Sequence, residues 1–291
     1  MDRPNRIQQS EAFQLLLLDC LYALSKSEKI VFQGGTALRW VYGGARFSED
    51  LDFVTHLTFG RIKELMETLY KNVQAAATAQ FGPGILEYNL KKTRSSAIKT
   101  FYIFRPQRQR ERIAVKLEFE RLRTMAQPQC NLRVLRDLPQ VTGLVAAGKL
   151  YLPYTSTIIV VETIEELLSD KIRSLFERTY IKGRDVYDFW WITQQLNISV
   201  AWENVRHKLS MYRWPFVAAR KPCFFQSKEG RAMVKSALES DLPRFLPSKV
   251  FELYQQSAFG HMINSLYRLS IEMAEQNIIQ QPLDTETNDA D

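Results

Sequence analysis

Two stretches decide the reading of this chain: Gly34-Gly-Thr-Ala-Leu-Arg39, and Arg46-Phe-Ser-Glu-Asp50-Leu-Asp52-Phe53. Just before them, Ile30 to Gln33 (Ile-Val-Phe-Gln) reads as a short strand. Gly34 and Gly35 break it, and Thr36 is placed to cap a short helix through Trp40 and Val41, which Gly43 and Gly44 end. Residues 51–54 read as a second strand. Side chains alternate along a strand, so Asp50 and Asp52 point one way while Leu51 and Phe53 point into the core. Two neighbouring carboxylates repel each other unless a cation lies between them. Mg²⁺ (or Mn²⁺) suits that place, because it takes oxygen ligands and keeps positions for phosphate oxygens. A Gly-Gly turn lets backbone N–H groups approach a phosphate, and a helix N-terminus favours an anion. Gly34, Gly35 and Thr36 are therefore candidate phosphate contacts, and Arg39 and Arg46 candidates to neutralise its charge; a solvated surface arginine is the plainer reading of either.

Working outward, Ser10 is placed to cap a first helix to about Ser25, and residues 58–80 read as a helix with Ile62, Leu65, Met66 and Leu69 on one stripe. Residues 85–90, 97–104 and 112–120 read as strands. In the last, Lys116, Glu118 and Glu120 share the face opposite Val115, Leu117 and Phe119. If this strand neighbours 51–54, Glu118 or Glu120 would complete a three-carboxylate site suited to phosphoryl transfer from a nucleoside triphosphate (NTP). Residues 125–156, with Pro128, Pro139 and Pro153, read as irregular.

Beyond a transition near 155, Thr163 and Glu166 fit a capping box, and helices are expected over 164–178, 185–196, 200–210, 228–240 and 248–277. The fold class is α+β: a small mixed sheet with helices over 1–156, a mostly helical part over 157–279 completing a cleft, and a disordered acidic tail over 280–291. Lys171 falls on the apolar stripe of Ile164, Leu167, Leu168 and Leu175. Either it snorkels to the edge of that stripe, or it is aimed into the cleft, to contact a triphosphate or, with a lowered pKa, to act as a base. Asp185 and Asp188 share a helix face; Asp185 would pair with Lys171 or Arg184, or both aspartates simply favour the helix dipole.

The chain has 291 residues and a net charge of +7, compatible with a polyanionic partner. Its cysteines (Cys20, Cys130, Cys223) are scattered, which speaks against a disulfide scaffold or zinc site and suits a reducing cytoplasm. No apolar run approaches the ~20 residues needed to span a bilayer, and the first residues lack a signal-peptide pattern. His56, His207 and His261 have no ligand spacing. Residues 205–222 mix basic and aromatic side chains, either to hold single-stranded RNA or as an amphipathic helix with a solvated face.

GGTALR, RFSEDLDF, LLSDKIRSLFER and KGRDVYDFWW, in that order, resemble the AbiEii/AbiGii nucleotidyltransferase toxins, a family similar to the MenT toxins of mycobacteria; the resemblance covers roughly residues 30–195. It implies a DNA-polymerase-β-like core, a type IV toxin–antitoxin or phage-defence (abortive-infection) setting, and a cognate antitoxin. It further implies that Gly34 and its loop hold phosphate, Asp50 and Asp52 bind metal, Lys171 is the essential lysine, and Asp185 (or, second, Asp188) is the aspartate of the last motif. Ser48 falls where the family has a Ser or Thr near the metal site. The implied reaction is nucleotide transfer to an acceptor hydroxyl, the 3′ end of tRNA being one acceptor and a protein hydroxyl another. A non-catalytic nucleotide- or RNA-binding module and a metal phosphohydrolase are the rival readings.

Overall fold

The structure is a computed structural model and describes residues 3–92, 97–107 and 111–279; the expected acidic tail, 280–291, lies outside the described residues. Seven strands form one mixed sheet: β1 (Ile30–Gln33), β2 (Asp50–Thr55), β3 (Gly84–Lys92), β4 (Ile98–Pro106), β5 (Ile113–Arg121), β6 (Cys130–Val134) and β7 (Ile158–Glu162), in the order β3-β4-β5-β2-β1-β7-β6. The strand β2 is antiparallel to β1 and parallel to β5, with Asp50 beside Lys116 and Asp52 beside Glu118.

One face of the sheet is covered by α1 (Arg3–Tyr22) and α3 (Phe59–Phe81). The inward residues of β2, β4 and β5, among them Leu51, Phe53, Leu117 and Phe119, are fully or almost fully buried there with Leu15–Leu18 of α1 and Met66 and Leu69 of α3. Strand alternation explains this: the same strands turn Asp50, Asp52, Lys116 and Glu118 to the opposite face.

Between β1 and β2 lies α2 (Gly34–Val41), and α4 (Pro139–Ala146) precedes β7. After β7 come α5 (Ile164–Glu177), α6 (Gly183–Trp190), α7 (Trp202–Met211), α8 (Lys228–Asp241), α9 (Ser248–Gln256) and α10 (Gly260–Glu275). Of these, α5 and α7 lie against that opposite face and partly cover it. The sheet thus continues past residue 156, since β7 pairs with both β1 and β6.

Several sequence expectations change here. Ser10 lies inside α1, which begins at Arg3, and α2 begins at Gly34, so Thr36 is not a cap; its hydroxyl instead donates to the Asp50 carbonyl. The irregular stretch 125–156 contains β6 and α4. Only half of the capping box forms: Thr163 accepts from the Glu166 amide at 3.3 Å, while the Glu166 carboxylate turns to Lys208 at 3.0 Å. The expected helix 248–277 is two helices, broken where Ala258 and Phe259 take positive φ (49° and 55°).

Candidate active site

The sheet side of the site is built by β2, β5 and β4 in register. Across these strands one row reads Asp52–Glu118–Lys99 and the next Asp50–Lys116–Phe101. The Lys116 ammonium bridges Asp50 (2.8 Å) and Glu118 (3.0 Å), and Lys99 reaches Glu118 at 3.1 Å. These two lysines hold Glu118 below the usual carboxylate range against the opposing cost of burial. Asp52 forms no ion pair among the described residues; burial, with Asp50 and Glu118 beside it, pushes its carboxyl up to about 7.

A raised, uncompensated carboxyl beside a second aspartate is the condition a divalent cation relieves, so Asp50 and Asp52 fit a metal. Glu118 would join only if Lys116 and Lys99 released it. Among the described residues no cluster of three or more acidic, Cys or His side chains stands ready for a metal. Of the two candidates for a third carboxylate, Glu120 is taken up by Arg173 at 2.8 Å, which leaves Glu118 as the one next to Asp52.

Gly34 takes φ of +80°, and a Cβ there would lie 2.6 Å from the Asp52 Oδ2; a Cβ on Gly35 would meet the Arg46 guanidinium at 2.4 Å. Both positions therefore need glycine, and the turn lies directly against the carboxylates. The backbone oxygen of Ser48 is held by the Gln14 side chain at 2.7 Å, and Ser48 lines the cleft.

The opposite wall carries cations. The cleft, about 540 Å³, is lined by Gly34, Gly35, Asp50, Asp52 and Glu118 on the sheet side and by Lys171, Arg178, Lys182 and Arg184 on the helix side. Lys171 is nearly buried and bonds to Asp188 at 2.7 Å and Asp185 at 3.1 Å. Burial opposes its charge, but the two aspartates outweigh burial and raise its pKa, the opposite direction from the lowering a base role would call for. Asp185 pairs with Lys171 and, at 3.5 Å, with Arg178 rather than with Arg184. Asp188, the second choice from sequence, is fully buried and is the hub: Arg46 grips it with two bonds, 2.5 and 2.6 Å. Arg46 is thereby committed to a carboxylate, although it borders the cleft. Arg39 does not line the cleft; it pairs with Glu11 at 2.9 Å and donates to the Gly44 carbonyl at 3.1 Å.

Sequence reading missed Arg178, Tyr180, Lys182 and Arg184 as a group; of the basic and aromatic stretch 205–222 that it singled out, Trp214 lines the cleft. Tyr180 and Trp214 are more than half exposed on the cleft. The signal for the group was present in the charge density of Arg178-Thr-Tyr-Ile-Lys182-Gly-Arg184, a loop between two helices. Like charges there depress the Lys182 pKa together with burial, so the loop is electrostatically short of an anion.

Paired aspartates on a central strand thus lie against a Gly-Gly turn and face a wall of cations, an arrangement suited to a metal and a triphosphate. The model of the "Nucleotidyl transferase AbiEii toxin, Type IV TA system" family matches residues 16–271, and the chain belongs to that family. Two crystal structures share the fold: a candidate nucleotidyltransferase of H. pylori (17% identity, TM-score 0.53, 95% of this chain and 99% of that one) and JHP933 of Helicobacter pylori (17% identity, TM-score 0.52, 97% and 100%). No curated protein matches the chain. Among the described residues no helix is long and apolar enough to cross a membrane.

Proposed function

We propose that this toxin transfers a nucleotide from an NTP to an acceptor hydroxyl with release of pyrophosphate, using Mg²⁺ or Mn²⁺, and that its acceptor is the 3′ end of tRNA. The observation that carries the metal-dependent reading is the placing of Asp52 beside Asp50 on one strand face, against the Gly34 turn, with no ion pair to Asp52 among the described residues; the raised carboxyl of Asp52 agrees with it. Asp50 and Asp52 would hold the metal, with Glu118 as a further ligand. The bound metal would supply charge neutralisation at the phosphates.

The chain's own residues do the rest. Gly34 and Gly35 leave room for a phosphate against the backbone N–H groups at the start of α2, with Thr36 tying that turn to the strand of Asp50. Lys171, fixed as a protonated donor by Asp185 and Asp188, offers charge-assisted hydrogen bonds to the triphosphate. Arg46 orients Asp188 and hence Lys171. Ser48 lies beside the Gly35 position and borders the same cleft. Residues 1–156 and 157–279 act as two halves around the cleft. A cognate antitoxin, a cytoplasmic location and a role in phage defence complete the proposal.

The test is incubation of labelled NTPs, Mg²⁺ and total tRNA with the wild type and with Asp52→Ala. Label on RNA with the wild type, reduced at least ~100-fold in the variant, is expected, as for loss of a group that stabilises transition-state charge. Label on protein would replace the acceptor and keep the chemistry. Equal transfer by wild type and variant would remove Asp52 from the reaction.

A further inference from the structure

A second cavity, about 570 Å³, opens on the other side of Asp50. The two cavities share Glu49, Asp50 and Lys116 and nothing else among their lining residues. The row Asp50–Lys116–Phe101 runs from one into the other, so the carboxylate face is the floor of both. The new cavity has a different character. The first is walled by cations and carboxylates; the second exposes more apolar than polar surface, and is lined by Phe47 and Phe101 with Arg6 and Arg112, by Glu111, and by Arg244, which pairs with Glu49 at 3.4 Å.

The rings are held in place. Phe47 stacks on Phe245 with centroids 6.5 Å apart, and its amide donates to the Phe245 carbonyl at 2.9 Å. Phe101 stands in register beside Lys116 on β4. Aromatic faces with guanidinium groups around them suit unpaired bases linked by phosphates, and suit them without base-specific hydrogen bonds.

The chemistry supplies the direction. In phosphoryl transfer the attacking and leaving oxygens lie roughly in line across the phosphorus. If the triphosphate lies against Lys171 and the 178–184 loop, the acceptor hydroxyl must approach from the far side of Asp50, where the second cavity opens. We propose that this cavity is the acceptor subsite, and that it takes the single-stranded 3′ end of a polynucleotide, its bases against Phe47 and Phe101 and its backbone near Arg6 and Arg112. The acceptor 3′-oxygen forms the new bond to the α-phosphorus, the bond from that phosphorus to the bridging oxygen breaks, pyrophosphate leaves with the electron pair, and the hydroxyl proton passes to water. This inference rests on the nucleotide-transfer reading above and adds where the acceptor binds.

The experiment uses the full chain, a fluorescent single-stranded oligoribonucleotide with a free 3′-hydroxyl, and separately a fluorescent NTP analogue with Mg²⁺. Phe101→Ala and Arg112→Ala are each expected to weaken oligonucleotide binding about tenfold, the scale of one lost stacking or phosphate contact, and to leave NTP binding unchanged. Arg112→Lys should restore much of the loss. Arg133→Ala, an equal loss of charge on β6 at the far edge of the sheet, should change neither. Oligonucleotide affinity that is unaffected by Phe101→Ala and Arg112→Ala, or that falls as much in Arg133→Ala, would overturn the subsite while leaving metal-dependent transfer standing. Wild-type protein that labels only protein would overturn both the subsite and the tRNA assignment. Thermal melting of each variant excludes simple unfolding; a variant that melts early is replaced by Phe101→Leu, which keeps the volume and removes the ring face.

Discussion

Two buried lysines, Lys171 and Lys208, show how the same residue type serves different ends. Lys171 sits with Arg46 and Arg178 against Asp185 and Asp188, three cations to two anions, and both aspartates are held below their ordinary range although burial opposes it. Lys208 is fully buried against Glu162 (2.6 Å), Glu166 (3.0 Å) and Asp170 (3.8 Å), and Arg173 reaches the last of these at 3.9 Å. Oriented with its nitrogen toward them, the Gln33 amide adds a donor to Asp170 at 2.6 Å, and Tyr212 donates to Asp170 at 2.7 Å. Acid still exceeds base, and burial together with the neighbouring carboxylates pushes Glu162 up to about 8. The cation-rich cluster keeps all its charges and presents a fixed cation to the cleft. The acid-rich one keeps a proton and serves to hold β7, α5 and α7 together.

Breaking the comparison at its hub should give the largest effect. Asp188→Ala leaves Arg46 and Lys171 buried without their shared partner and is expected to destabilise the fold by about 3–5 kcal/mol, measured by urea unfolding. A loss under about 1 kcal/mol would mean that water or a relaxed side chain compensates. Lys171→Met should come next: it removes the cation offered to the cleft, and transfer should fall about 100-fold while the protein still melts cooperatively. Retained transfer would show that Lys171 is only a spacer between two aspartates.

The third test concerns the sign of a pH effect. A Glu162 with a folded pKa of about 8 holds its proton more tightly than the unfolded chain, whose carboxyl titrates near 4.5. Its contribution to stability is therefore present at low pH and is lost as pH rises from about 4.5 to about 8. Glu162→Gln mimics the protonated form, so its melting temperature relative to wild type should climb through that window and level off above it. A constant difference across the window would show that Glu162 is ionised throughout.

Legibility in sequence followed the range of the interaction. The turn from β1 through Gly34 and Gly35 to the strand of Asp50 and Asp52 was readable because its parts lie within about twenty positions and obey strand alternation. The cap at Thr163 was readable for the same reason. Arg46 with Asp188 was not, because 142 positions separate them and neither residue carries a local sign of the other. Lys208 was hidden likewise: on its own helix it reads as part of a basic face, and only its three acidic neighbours from β7 and α5 explain its burial. Prolines misled the reading of 125–156, since Pro139 begins α4 at a position where the missing N–H costs nothing. The break at Ala258 and Phe259 was obscured because Phe259 is an apolar residue whose buried ring fits the helical stripe, while its backbone does not.

The pairing of Arg46 with Asp188 also sets a clock on the ribosome. At ~5–20 residues per second, the roughly 140 residues between the two ends take about 7–30 s to synthesise. For most of that interval, from Asp52 until Lys171 is added, the emerging chain carries Asp50 and Asp52 but has neither Lys171 nor the loop beyond it. A prematurely terminated product lacks one wall of its cleft and is expected to be harmless. The cleft is therefore complete only after roughly two thirds of the chain has been made, so its activity is switched on late in synthesis rather than growing with chain length.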